Sequence, residues 1–182
     1  MIRTLVWLLT GLVLGGIIHI MVILTLPMLS ATRAWDRVAL AEGVIGPAIL
    51  PVPKAGEPNP LRLDPELTYA VCRIDLRKGP GSVTGTLPQA FWSVSVYGQN
   101  GQVVYSTTNR DGVGNTLDLG LFNPAQTRLL AEQKLDIAEG LLIVEAEADD
   151  LMVLVRLAPS HRVMRPRYEK ALTSLRCGNI PA

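Results

Sequence analysis

No Asp, Glu, Lys or Arg occurs between Arg3 and Arg33, and an uncharged run of 29 residues leaves few choices to any fold that contains it. At ~1.5 Å of rise per helical residue, the ~20 residues that cross a ~30 Å hydrocarbon layer are present with some to spare. Residues 5–26 alone suffice. Trp7 near one end and Trp35 beyond the other stand where amphipathic rings favour the bilayer interface, and Pro27 marks the expected bend or exit. A cleaved secretory signal is the rival, with Arg3 as a short basic start and Thr32-Arg33-Ala34 as a small-residue site. Signal cores are only about 7–15 apolar residues long, so the length of this run favours a retained anchor. Within it, His19 and Thr25 are tolerated polar positions, and Gly11 and Gly15 have the spacing of a close-packing helix face that also arises often by chance.

Orientation is set by opposing signals. Arg33 and Arg37, partly offset by Asp36, outweigh Arg3 and by charge alone would hold the following chain inside the cell. The length of that chain, which can translocate regardless of nearby charge, and its cysteines favour the opposite arrangement, with the N-terminus inside and the bulk outside. After the anchor, residues 31–42 read as a short amphipathic helix. Residues 46–60 carry Pro47, Pro51, Pro53, Pro58 and Pro60. Proline fixes φ and lacks the donor that helices and central strands need, so this segment is expected to be a semi-rigid spacer. The division predicted is an anchor over 1–32, an amphipathic segment and linker over 33–60, and one domain over 61–182.

That domain reads as strands. Trp92, Val94 and Val96 alternate with Phe91, Ser93, Ser95 and Tyr97, the period of two of a strand with one buried face, and Gly98-Gln99-Asn100-Gly101 supplies a hairpin turn to a return strand over 102–106. Residues 67–76, 83–87 and 116–122 are further strands, separated by the Arg77-Lys78-Gly79-Pro80-Gly81 turn, Pro88 and a polar loop. Asn123 as N-cap and Pro124 at the first helical position open a helix to about residue 136. A second hairpin is expected from arms 141–148 and 151–158 around Asp149-Asp150. A last helix over 166–175 should stop at Gly178. The class is α+β, mostly antiparallel β, sandwich-like or barrel-like, with two or three helices after a single transmembrane helix.

Cys72 and Cys177 are the two cysteines, one in the first predicted strand and one beyond the last predicted helix. Their even number, their distance in sequence and the preceding anchor favour a disulfide in an oxidising compartment over two buried thiols. Neither has a CxxC partner or a nearby histidine, so a redox pair or metal site is disfavoured.

The order Asp75-Leu76, Lys78-Gly79-Pro80, Leu87-Pro88, the 91–97 strand, Asn100-Gly101 and Tyr105-Ser106 resembles the bacterial family called domain of unknown function 1254 over residues 67–126. With its leading anchor, the chain looks like the small membrane-anchored members found in alphaproteobacteria. That resemblance implies the β-rich fold and an inner-membrane location with a periplasmic domain. The family has no assigned general activity, so no catalytic residue is implied.

The soluble part holds a single histidine, His161, which excludes a histidine metal cluster. No phosphate-binding or dinucleotide glycine motif occurs, and no cofactor or metal is expected. Asp75, Arg110 and Asp111, at strand ends or in a glycine-bearing loop, are the candidates for ligand contact or acid–base work, against surface ion pairs that cap turns. His161, Arg162, Arg165 and Arg167 form a local basic excess that suits anionic headgroups or a partner's carboxylates. Setting Arg3 aside, 16 basic residues balance 16 acidic ones, which argues against nucleic acid. The partners expected are the lipid bilayer and an unidentified envelope protein or small ligand. A binding or scaffolding module is favoured over an accessory subunit of a membrane complex or an enzyme.

Overall fold

The computed structural model describes residues 2–41, 46–111, 114–132 and 140–180, with the side chains of 27–37 and 39–41 left aside. Helix α1 (Ile2–Ala41) is one continuous element that carries on through Pro27. A single proline removes one backbone hydrogen bond, which is not enough to stop a helix with helix formers on both flanks. The apolar part of α1, Ile2–Leu26, is 25 residues long with a mean hydropathy of 2.3, and none of it is buried against the rest of the chain. Of the expected amphipathic segment 31–42, Val38 is buried, and the other side chains lie outside the described residues.

Among the described residues, nine strands follow in two sheets. The first contains β1 (Ala48–Leu50), β2 (Thr68–Asp75), β4 (Trp92–Gly98), β5 (Val103–Thr108) and β8 (Asp150–Leu157), in the order β1-β2-β8-β4-β5 and antiparallel throughout. The second contains β3 (Gly81–Thr86), β6 (Thr116–Phe122), β7 (Leu142–Glu145) and β9 (Arg176–Asn179), in the order β7-β6-β3-β9, with β6 and β7 parallel. Helices α2 (Pro124–Glu132) and α3 (Arg165–Thr173) complete an α+β fold. Asn123 and Gln126 form a reciprocal cap, each side chain accepting from the other's backbone N–H at 2.9 Å, and this satisfies two donors that the start of α2 would leave unpaired. The predicted continuation of this helix, 133–136, lies outside the described residues.

The core is built from alternate residues of facing strands. Ala70, Cys72 and Ile74 on β2, Trp92, Val94 and Val96 on β4, and Leu151, Val153, Val155 and Leu157 on β8 meet Val83, Leu117, Leu119, Leu121 and Val144 of the second sheet. Helix α3 lies against β1 and β2 and adds Tyr168 and Leu172. A second apolar cluster covers the other face of β2: Tyr69 and Val71 pack with Leu50 and with Val38 of α1. Thr68–Cys72 is therefore an unbroken buried run, because both of its faces are covered.

Three expectations are corrected. The 46–60 segment is not a bare spacer, since Ala48–Leu50 forms the edge strand of the first sheet. Three residues between Pro47 and Pro51 are enough for an edge strand, the one place in a sheet where flanking prolines cost little. The sandwich therefore begins before residue 61. Residues 141–158 are not a hairpin: β7 pairs with β6, β8 pairs with β2 and β4, and the chain changes sheets between Ala146 and Asp149. Alternation reveals which side of a strand is inward, and Leu142, Val144 and Ala146 do face in, but it does not name the neighbour. Gly178, finally, is no helix stop. It lies within β9, a strand whose burial pattern is too weak to read from four residues.

Candidate functional site

The cysteines are joined. Cys72 on β2 and Cys177 on β9 form a disulfide with Cα atoms 6.0 Å apart, tying the first sheet to the edge of the second across 105 residues of sequence.

Asp75 ends β2 opposite Asp150, and the two carboxylates share a guanidinium cluster. Arg77 Nε donates to Asp75 at 2.7 Å and Arg77 Nη2 to Asp150 at 3.4 Å, while Arg73 donates to Asp150 at 3.3 Å. Asp75 also accepts from the Arg77 backbone N–H and so caps the 3-10 turn Leu76–Lys78. The Arg77 hydrogen bond holds the Asp75 carboxyl below its ordinary value of 3.8, more strongly than burial raises it. A depressed carboxyl adds stability above the unfolded value and loses it as pH falls through the folded one. In a carbon NMR titration, Asp75 should therefore titrate below 3.8, and Arg77→Gln should return it upward. A midpoint at or above that value in the intact protein would dismiss the ion pair.

Arg110 and Asp111 are not part of this site. The register places Asp75 and Asp150 at one end of the first sheet. Ser93, opposite both Arg156 and Thr108, lies at the other end. Six residues of strand separate them, roughly 20 Å. Asp111 accepts from Thr107 Oγ1 at 3.1 Å and from the Thr108 N–H at 3.3 Å, and the Arg110 N–H donates to Thr108 Oγ1. These are turn contacts, and the fold does not bring the candidates Asp75, Arg110 and Asp111 together in one site. The sequence could not show this, because which ends of a sheet coincide follows from strand order.

The basic excess at 161–167 divides. Arg162 ion-pairs with Glu66, whose carboxyl is held below its ordinary value mainly by that contact, and Arg165 donates to the Pro65 carbonyl. Both therefore fasten the start of α3 to the 64–66 turn. A groove of about 520 Å³ runs beside them, lined also by Val52, Pro53 and Lys54, and Arg165 Nε is buried there with no partner among the described residues. Arg167 faces a different groove of about 550 Å³, with Lys170, Thr86, Gln89, Asn115 and Ser174 on its walls and no acidic residue. Neither cation has an ion-pair partner among the described residues. Lys170 escaped the sequence reading, although its spacing of three from Arg167 places both on one helix face. Lys54 had no local signal, since only the fold brings it to Arg165. No group of three His, Cys, Asp or Glu that would hold a metal occurs among the described residues.

No family model matches the chain, and no curated protein matches it. Among solved structures it is similar to the VPA0106 protein from Vibrio parahaemolyticus, at 7% identity and a TM-score of 0.56, over 83% of this chain and 35% of that one. It is also similar to an uncharacterised protein from Burkholderia cenocepacia, at 18% identity and a TM-score of 0.48, over 85% and 41%. The chain thus spans about a third of the length of the Vibrio protein. The Vibrio likeness speaks for the fold alone.

Proposed function

We propose that the chain is a single-pass membrane protein of the bacterial envelope, with its disulfide-bonded sandwich on the periplasmic side of the inner membrane, acting as a binding or scaffolding module. One observation carries this: a wholly unburied apolar helix continues, through Val38, onto a domain closed by a cross-sheet disulfide. An apolar helix of ~37 Å is long enough to span, and disulfides persist outside the cytoplasm. The resemblance to the family called domain of unknown function 1254 belongs to the same proposal. The groove of Arg167 and Lys170 is the candidate contact for an anionic ligand, because two like charges three residues apart on a helix are relieved by a counterion.

A reporter fused after Ala182 tests the topology. An enzyme active only after export should be active there, in cells whose membranes retain the chain through carbonate washing. Activity of a cytoplasm-only reporter at that position overturns the orientation, and a mature N-terminus near Trp35 overturns the anchor.

A further inference from the structure

The groove beside Arg167 is assembled from three places in the chain. Thr86 and Gln89 come from the end of β3 and the loop after it, Asn115 from the residue before β6, and Arg167, Lys170 and Ser174 from α3 and its C-terminal cap. The core holds these pieces. Leu87 and Leu172 are buried in it, and the Leu87 N–H donates to the Asn115 carbonyl at 2.8 Å. The carbonyls that end α3 are already engaged, because Ser174 donates to Ala171 through Oγ and to Lys170 and Ala171 through its N–H. The side chains of Thr86, Gln89, Asn115, Arg167 and Lys170 are not: they have no hydrogen bond or ion pair among the described residues, although Asn115 is half-buried. At about 550 Å³ the groove is of small-molecule size. It offers two cations from α3, two amides and a hydroxyl from the other two pieces, and no carboxylate.

We infer that this groove binds a phosphomonoester carried on a hydroxylated carbon skeleton, the chemistry of a sugar or polyol phosphate. The inference rests on the reading of the groove as an anion contact and specifies the anion. Residues three apart on a helix have Cβ atoms ~5–6 Å apart, so Arg167 and Lys170 can close on one group. A carboxylate, a sulfate ester or a phosphodiester brings one negative charge to that group. A phosphomonoester brings up to two, on three oxygens that divide between the planar fork of Arg167 and the ammonium of Lys170. The rest of the wall suits hydroxyl groups. Asn115, Gln89 and Thr86 each donate and accept, and Ser174 Oγ, its proton committed to Ala171, accepts. An apolar ligand body would leave all four without partners, whereas hydroxyls both donate and accept.

The test is titration calorimetry on the full chain in detergent. The probes are glycerol 3-phosphate, ribose 5-phosphate and glucose 6-phosphate, compared with inorganic phosphate, glucose 6-sulfate and succinate. At least one of the three esters should bind about tenfold more tightly than the sulfate ester and succinate. Its affinity should fall about tenfold from pH 7.5 to pH 5, because the second phosphate proton returns near pH 6, while that of glucose 6-sulfate stays level. Arg167 and Lys170 are the charged groups of the wall, which holds no histidine or carboxylate to titrate in that range. Arg167→Gln and Lys170→Gln should each weaken the ester about tenfold. Gln89→Ala with Asn115→Ala should weaken it about fivefold or more and leave inorganic phosphate unchanged. An unchanged circular dichroism spectrum establishes that each variant is folded. Equal affinity for the esters, the sulfate ester and succinate, or a level pH profile for the esters, overturns the phosphomonoester and leaves a general anion contact standing. Inorganic phosphate that binds as tightly as every ester, or amide variants without effect on any of them, overturns the hydroxylated skeleton. If no anion binds, or the two Gln variants change nothing, the groove is not an anion contact and both readings fall.

Discussion

Trp92→Ala should destabilise the domain by about 3–5 kcal/mol, a large share of the ~5–15 kcal/mol that holds a domain together. Trp92 is 1% exposed, lies opposite Leu157 on the neighbouring central strand and is among the largest fully buried side chains. Its truncation removes the transfer term of an indole and leaves a cavity that two rigid sheets cannot close. Phe91, one residue earlier, is 56% exposed, and Phe91→Ala should stay within about 0.5 kcal/mol. Urea unfolding of the full chain in detergent, followed by circular dichroism because the substitution removes a fluorophore, measures both. The contrast is the test. A one-residue slip in strand register would exchange the two faces, and similar losses for Trp92→Ala and Phe91→Ala would refute the register of the whole first sheet.

That pair also shows what was legible in advance. The alternation around Trp92 names the apolar core face of β4 correctly: Trp92, Val94 and Val96 are buried, while on the other face Ser93 and Tyr97 are half-buried and Ser95 is covered. On β2 both faces are buried, and the pattern gives a strand without an orientation. Strand partnership was less accessible still. Residues 142–145 and 150–157 are close in sequence and both face the core, yet they join different sheets, because the core lies between them and each can reach it from its own side. The site suffered from the same limit. Asp75, Arg110 and Asp111 all stand at strand ends, but only strand order decides which ends coincide. Charge points to Arg165, which the fold uses to fasten the start of α3 to the 64–66 turn, whereas the exposure of Val163 beside it has no signal in the sequence, because valine is normally interior.

Cys72→Ala and Cys177→Ala should each cost roughly 2–4 kcal/mol, and the double variant little more than either, because the second change removes no further cross-link. The chain-entropy account gives ~4–5 kcal/mol for a closed loop of ~100 residues, and measured values commonly fall below it. The structure adds a reason for the effect to be concentrated. β9 is a four-residue edge strand whose one neighbour in its sheet is β3, and the bridge is its covalent tie to the opposite sheet. Without it, the strand keeps its β3 ladder and the Asn179 side chain, which donates to the Asp75 and Gly79 carbonyls at 2.9 and 2.7 Å. Hydrogen exchange should therefore quicken first at residues 176–179 in the cysteine variants, with β8 and β4 at the centre of the first sheet least affected. Protein taken from its native compartment, denatured without reductant, should resist alkylation at both positions. Full labelling of both would mean that the bridge does not form in the cell, and the argument for an oxidising location would fall with it.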